Sequence, residues 1–119
     1  MGPPTKSFDA VVVGTGQAGK PLASALADDG ERVAIVEAGR VGGTCILDGC
    51  TPTKTMVASA RVAHLVRRAS DFGVRSEPPY VDMGAVRARK RSVVDDFSAS
   101  SRRALDDHES IVVIEGEAR

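Results

Sequence analysis

The chain has 119 residues, 42% hydrophobic, 27% charged and 3% aromatic, and its 16 basic and 16 acidic residues cancel. Such a composition describes one soluble globular unit, able to bury about two thirds of its unfolded surface. A neutral chain with few aromatics offers neither the field nor the stacking surface that nucleic acid requires, and no apolar run reaches the length of a membrane span.

The opening stretch "MGPPTKSF" is polar and holds no apolar signal region, and a cytoplasmic protein is the expectation. "DAVVVG" follows as a short β-branched run, expected to be a strand buried on both faces. "TGQAGKPLASALADDG" reads as a helix with Ala18, Leu22, Ala25 and Leu26 on its apolar side, stopped by Gly30. "RVAIVE" is a second buried strand, and strand–helix–strand at this spacing predicts a parallel, right-handed unit.

Gly14, Gly16 and Gly19 form G-x-G-x-x-G at the junction of the first strand and helix. The first glycine permits the turn, the second lets backbone approach a pyrophosphate, and the third lets helix and strand pack closely. Ala23 keeps that close packing possible, and the helix N-terminus offers free N–H groups to phosphate. Pro21 removes an N–H expected in the second turn. Glu37 lies 23 residues after Gly14, close to the roughly 20 expected of a ribose-binding carboxylate. A carboxylate there accepts both ribose hydroxyls and repels a 2′-phosphate, which favours FAD or NAD.

"RVGGTCILDGCTPTK" then carries the only two cysteines, Cys45 and Cys50. Read from the residues alone, three roles stay open: inert buried thiols, a metal site, or a reversible disulfide. A closed zinc site needs four ligands, and His64 and His108 have no ligand spacing with the pair, so no metal site is assigned. A thiolate would gain from the dipole of a helix restarting at Pro52, and from Lys54.

"TKTMVASARVAHLVRRASDFG" is a further helix with Val57, Ala60 and Ala63 on one face and Gly73 at its end. Asp82 is expected to cap a long helix reaching about Asp107, with Val86, Val93, Phe97 and Leu105 along its apolar side. Met56 and Met83 are expected to fill core. "RARKR", Arg87 to Arg91, is expected on a solvated charged face, as is His64, while His108 is expected on the surface at a helix end. "SIVVIEG" makes a third buried strand, leaving an open sheet edge.

"GGTCILDGCTPTK" resembles the active-site segment of the pyridine nucleotide–disulfide oxidoreductases, the FAD enzymes that include glutathione reductase, dihydrolipoamide dehydrogenase and mercuric reductase. The fixed positions of G-G-T-C-x-N-x-G-C-x-P-[ST]-K all match except the Asn, which is Leu47 here. The resemblance runs from the glycine fingerprint to "EGEAR", and the wording around "TPTKT" and "ASARVAHLVRRASDFGV" is most similar to mercuric reductase-like members.

The resemblance implies an α/β, Rossmann-like FAD-binding fold with a parallel sheet, residues 1–119 forming the N-terminal part of the FAD-binding domain. NAD(P) and dimerisation domains would lie outside this chain, as in a protein cut short. Cys45 would be the interchange thiol, Cys50 the thiol nearest the flavin, and Lys54 the residue beside the isoalloxazine. Gln17, Ala18, Gly43 and Thr44 would hold the pyrophosphate region with the glycines, Glu37 the ribose, and the Ala118 backbone the adenine. NAD(P)H would be the electron donor, a small molecule or metal ion the substrate, and the full-length protein a homodimer. The alternatives are a dihydrolipoamide dehydrogenase or glutathione reductase-like enzyme, a non-catalytic nucleotide-binding module, and an NAD-only dehydrogenase domain.

Overall fold

A computed structural model describes residues 5–119; the first four residues of the polar opening stretch lie outside it. The elements are β1 (Ala10–Val13), α1 (Gly19–Asp28), β2 (Val33–Glu37), α2 (Gly43–Leu47), α3 (Cys50–Arg67), a 3-10 turn (Ala69–Phe72), α4 (Met83–Asp106) and β3 (Ile111–Glu115). The three strands form one parallel sheet in the order β1-β2-β3, with Val12 opposite Ile35 and Ile35 opposite Val113. This is the α/β architecture with a parallel sheet that the sequence predicts.

One face of the sheet holds the core. Val12, Val33, Ile35 and Ile111 point to it, and Ala23 and Ala27 of α1, Val41, and Leu105 of α4 close over it. The two alanines are four positions apart and so share one helical face; both are buried. Their small side chains let α1 lie close to the strands. Leu22 and Ala25, expected on the packed side together with Ala18, are exposed instead, and only Leu26 of that set is partly buried. The larger residues cannot occupy the face that approaches the sheet most closely.

The other face of the sheet is largely open. Val11 and Val13 are 62% and 69% exposed, and Val112 and Ile114 of β3 are exposed with them. Only β2, the central strand, is covered on both sides through Val33, Ala34 and Ile35. Burial of β1 and β3 on both faces, expected from their β-branched runs, is therefore corrected: each pairs on one edge only and packs through alternate residues.

Glycines end two helices. Gly30 takes φ +94 after α1, with its N–H donating to the Ala27 carbonyl, and Gly73 takes φ +75 after the 3-10 turn. The long helix expected up to Gly73 ends as α-helix at Arg67 and finishes in that tighter turn. Asp82 caps α4 as predicted, its Oδ1 accepting from the Gly84 and Ala85 N–H groups at 2.8 and 3.0 Å.

Helices α3 and α4 pack against each other, with the Arg89 guanidinium donating to the Thr55 carbonyl. Much of their expected apolar surface stays in solvent. Val57, Phe97, Met56 and Met83 are all exposed, so the two methionines do not fill the core. Leu105 is buried as expected, and the remaining packing falls on Pro52, Thr55, Val94 and Ser98. Arg87, Arg91 and His64 lie on solvated faces as expected, whereas Arg89 reaches across to α3 and Lys90 is half-buried. His108 is half-buried beyond the end of α4 and pairs with Asp28. No helix among the described residues is long and apolar enough to cross a membrane.

Candidate functional site

The glycine loop runs from Gly14, φ +91, to the start of α1 at Gly19. A Cβ on Gly19 would stand 2.0 Å from the Gly14 carbonyl oxygen, so the third glycine is required for helix and strand to approach this closely. Added Cβ atoms on Gly14 and Gly16 would meet nothing within 4 Å. The first two glycines face open space, and the third faces protein. Because α1 begins at Gly19 rather than near Thr15, Pro21 falls in its first turn, where a missing N–H costs nothing. Gln17 and Ala18 are exposed on the loop just ahead of the helix.

At the carboxyl ends of the strands a cleft of about 200 Å³ is lined by Gly14, Glu37 and Ala118, among others. Three residues picked out far apart in sequence thus meet on one concave surface, where open α/β sheets take ligands. The Glu37 carboxylate is held from inside. Thr15 donates its N–H (3.0 Å) and its hydroxyl to Oε2, and the Gly39 N–H donates to Oε1 at 2.9 Å. Burial alone would raise the pKa of this carboxyl. The Thr15 hydroxyl and the N–H groups of Gly39, Thr15 and Ala38 outweigh burial and hold it below the ordinary carboxylate value.

A depressed folded-state pKa stabilises the fold above the unfolded value of about 4.3, and that stability is lost as pH falls through the folded value. Glu37→Gln is therefore expected to lose less stability than wild type as pH falls below the unfolded value of about 4.3. Urea unfolding at stepped pH reads the difference, and parallel losses in the two proteins would contradict it.

The cysteines occupy a second turn docked on the first. Gly42, φ +140, and Gly43, φ +68, start α2, a short helix the sequence reading missed. A Cβ on Gly43 would lie 2.5 Å from the Gly16 Cα, so the two glycine turns touch backbone to backbone. The Gly42 N–H also donates to the Thr15 hydroxyl at 3.1 Å. From α4, the Ser98 hydroxyl donates to the Val41 carbonyl at 2.6 Å, fixing the start of the turn.

Thr44 and Cys45 follow on α2, and Cys50 is the first residue of α3. Cys45 and Cys50 form a disulfide with their Cα atoms 4.8 Å apart. The pair is therefore joined, neither two free thiols nor a pair of metal ligands. The helix begins at Cys50 itself rather than at Pro52, which brings its positive dipole end to that sulfur. Lys54 is exposed one turn further on, on the same helical face as Cys50. No group of three or more His, Cys, Asp or Glu among the described residues converges as a metal site.

Thr15, Gly42 and Ser98 were not singled out from sequence. Thr15 is one of the variable positions inside the fingerprint, and its partners Glu37 and Gly42 are 22 and 27 positions away. The doubled glycine at 42–43 was the only local sign.

Comparison with known proteins agrees with this geometry. The sequence model of the pyridine nucleotide-disulphide oxidoreductase family matches residues 8–118. Mercuric reductase of Shigella flexneri is 36% identical over 111 residues, covering 91% of this chain and 20% of that protein. Dihydrolipoyl dehydrogenase of Chlamydia pneumoniae is 37% identical over 90 residues, covering 76% of this chain and 20% of that protein. Among solved structures, the HOCl-induced flavoprotein disulfide reductase RclA of Escherichia coli, in its Cu(II) complex, superposes with a TM-score of 0.79 at 35% identity. That match covers 97% of this chain and 23% of the RclA chain. The chain thus spans about a fifth of the length of the curated relatives it matches.

Proposed function

The chain belongs to the pyridine nucleotide-disulphide oxidoreductase family, and from that premise we propose that it forms the FAD-binding end of an NAD(P)H-dependent disulfide oxidoreductase whose redox couple is Cys45–Cys50. The observation that carries the reading is the docking of the disulfide-bearing turn on the dinucleotide glycine loop, Gly43 against Gly16. A disulfide is unusual in a reducing compartment unless it works as a redox group.

The residues present fit the cofactor. Gly14 and Gly16 leave room for a pyrophosphate ahead of the start of α1, and Glu37 and the Ala118 segment border the cleft where an adenosine would lie. FAD, when bound, supplies two-electron chemistry between a reduced nicotinamide and the disulfide.

The chain's own part is to make that transfer productive. Two electrons and two protons open the Cys45–Cys50 bond to two thiols. The start of α3 stabilises the thiolate of Cys50, which faces the cofactor in this reading, while Cys45 on α2 exchanges with substrate. Lys54 adds positive charge on the same face as Cys50 and would polarise a bound flavin ring.

The substrate is a small molecule or metal ion that accepts thiolate electrons. Mercuric ion leads, on the mercuric reductase relatives, with a lipoamide-type disulfide as the alternative. In this reading residues 1–119 are the N-terminal part of the FAD-binding domain. The nicotinamide site and the homodimer contacts belong to sequence beyond them.

Titrating the purified 119-residue chain into FAD tests the assignment. Saturable quenching of flavin fluorescence and a yellow protein are the expected results. Binding of NAD with no binding of flavin would replace the reading with a nicotinamide-only domain.

A further inference from the structure

We propose that Thr15 is the positioning residue for the adenosine end of the site. Its buried hydroxyl fixes the Glu37 carboxylate so that Oε1 alone is left to accept a ribose hydroxyl, and it ties that acceptor to the cysteine-bearing turn. The inference deepens the function proposed above and rests on it.

Thr15 is fully buried, at 0% exposure, although it sits within a loop that faces open space at Gly14 and Gly16. Its two donors both go to Glu37 Oε2, the N–H at 3.0 Å and the hydroxyl alongside it. The same hydroxyl oxygen accepts the buried Gly42 N–H at 3.1 Å. One side chain therefore joins the glycine loop, the end of β2 and the turn that opens α2.

A carboxylate offers about four acceptor positions. Two on Oε2 are filled by Thr15, and one on Oε1 is filled by Gly39 at 2.9 Å. The Ala38 N–H also bonds the carboxylate, so Oε2 is filled and what capacity is left to a ligand lies on Oε1. The sequence reading gave Glu37 both ribose hydroxyls. That arrangement would require breaking an internal bond to a buried threonine, so the second hydroxyl must find another partner.

Other charges near Glu37 are few. Glu117 lines the same cleft, and Glu115 stands beside Glu37 across β3 with its carboxylate engaged by Arg102. Both are common to wild type and Thr15 variants, so a change in Glu37 titration reports on Thr15.

The test compares wild type, Thr15→Val, which keeps the shape without the hydroxyl, and Thr15→Ser, which keeps the hydroxyl. Carboxyl 13C NMR of the ligand-free chain follows the Glu37 titration, and flavin fluorescence gives FAD affinity. Thr15→Val is expected to move the Glu37 titration upward and to weaken FAD by about tenfold. Thr15→Ser is expected to match wild type in both.

A double-mutant cycle with Glu37→Gln removes effects unrelated to this contact, because Thr15→Val should then cost no further affinity. An unchanged Glu37 titration in Thr15→Val would overturn the inference, as would a Thr15→Ser protein that binds FAD as poorly as a valine variant. If Thr15→Val does not fold, Thr15→Ser still decides: a raised Glu37 titration in it contradicts the assignment, and a wild-type titration with wild-type affinity supports it. Failure of the wild type to bind FAD would instead remove the proposed function, and the ribose assignment with it.

Discussion

Gly19→Ala is expected to unfold the domain or bring it close to unfolding. The added methyl would stand 2.0 Å from the Gly14 carbonyl oxygen, with Val12 Cγ1 also near at 3.4 Å. The obstructing atom belongs to the backbone of a turn that is itself fixed at φ +91 and hydrogen-bonded to the Val36 carbonyl at 2.7 Å. It cannot swing aside as a flexible side chain would. Relief requires moving α1 off the sheet, which opens the contact of Ala23 and Ala27 with the core. Overpacking of this kind costs about 3 kcal/mol or more, a large share of the 5–15 kcal/mol that holds a typical domain together. Urea unfolding followed by circular dichroism reads the loss as a lower midpoint, and a midpoint equal to wild type would mean that α1 does not lie against β1 as described.

Gly16→Ala is expected to do the reverse, sparing the fold and removing the ligand. Nothing in the protein lies within 4 Å of a Cβ at Gly16, and its backbone does not take the left-handed conformation. Stability should therefore stay within about 0.5 kcal/mol of wild type. In the proposed function that same space receives the pyrophosphate, and a methyl there holds the phosphates away from the loop N–H groups. Loss of charge-assisted hydrogen bonds at that point weakens FAD by roughly a hundredfold. Fluorescence titration beside a urea curve on the same protein separates the two effects. A Gly16→Ala protein that binds FAD normally would show that the ligand does not approach the loop.

The contrast between these glycines was legible in the sequence because the fingerprint fixes spacing, and spacing fixes which backbone atoms meet. The helix stops at Gly30 and Gly73 and the cap at Asp82 were legible for the same reason, since each is decided within a few residues. Matters decided by distant partners were not. The β-branched residues of β1 read alike, yet Val12 enters the core while Val11 and Val13 face solvent, because only one face of this sheet is covered.

Helix α1 misled in another way. Its most closely packed face carries Ala23 and Ala27, so its bulkier Leu22 points outward and the hydrophobic pattern marks the wrong side. Glu37 was found from its spacing, but Thr15, whose N–H and hydroxyl both occupy its Oε2, meets it only once β1 and β2 pair. Of the cysteine segment, resemblance supplied the redox role. The residues alone left inert thiols and metal binding open until the structure joined Cys45 to Cys50.

Reductive titration of the FAD-loaded protein, with each cysteine replaced in turn, tests the central claim most directly. Wild type and Cys45→Ser are expected to develop a long-wavelength absorbance from a Cys50 thiolate lying against the flavin, and Cys50→Ser is expected to develop none. The same spectra in Cys50→Ser as in wild type, or no such band in any of the three, would contradict the placing of this sulfur pair beside the cofactor.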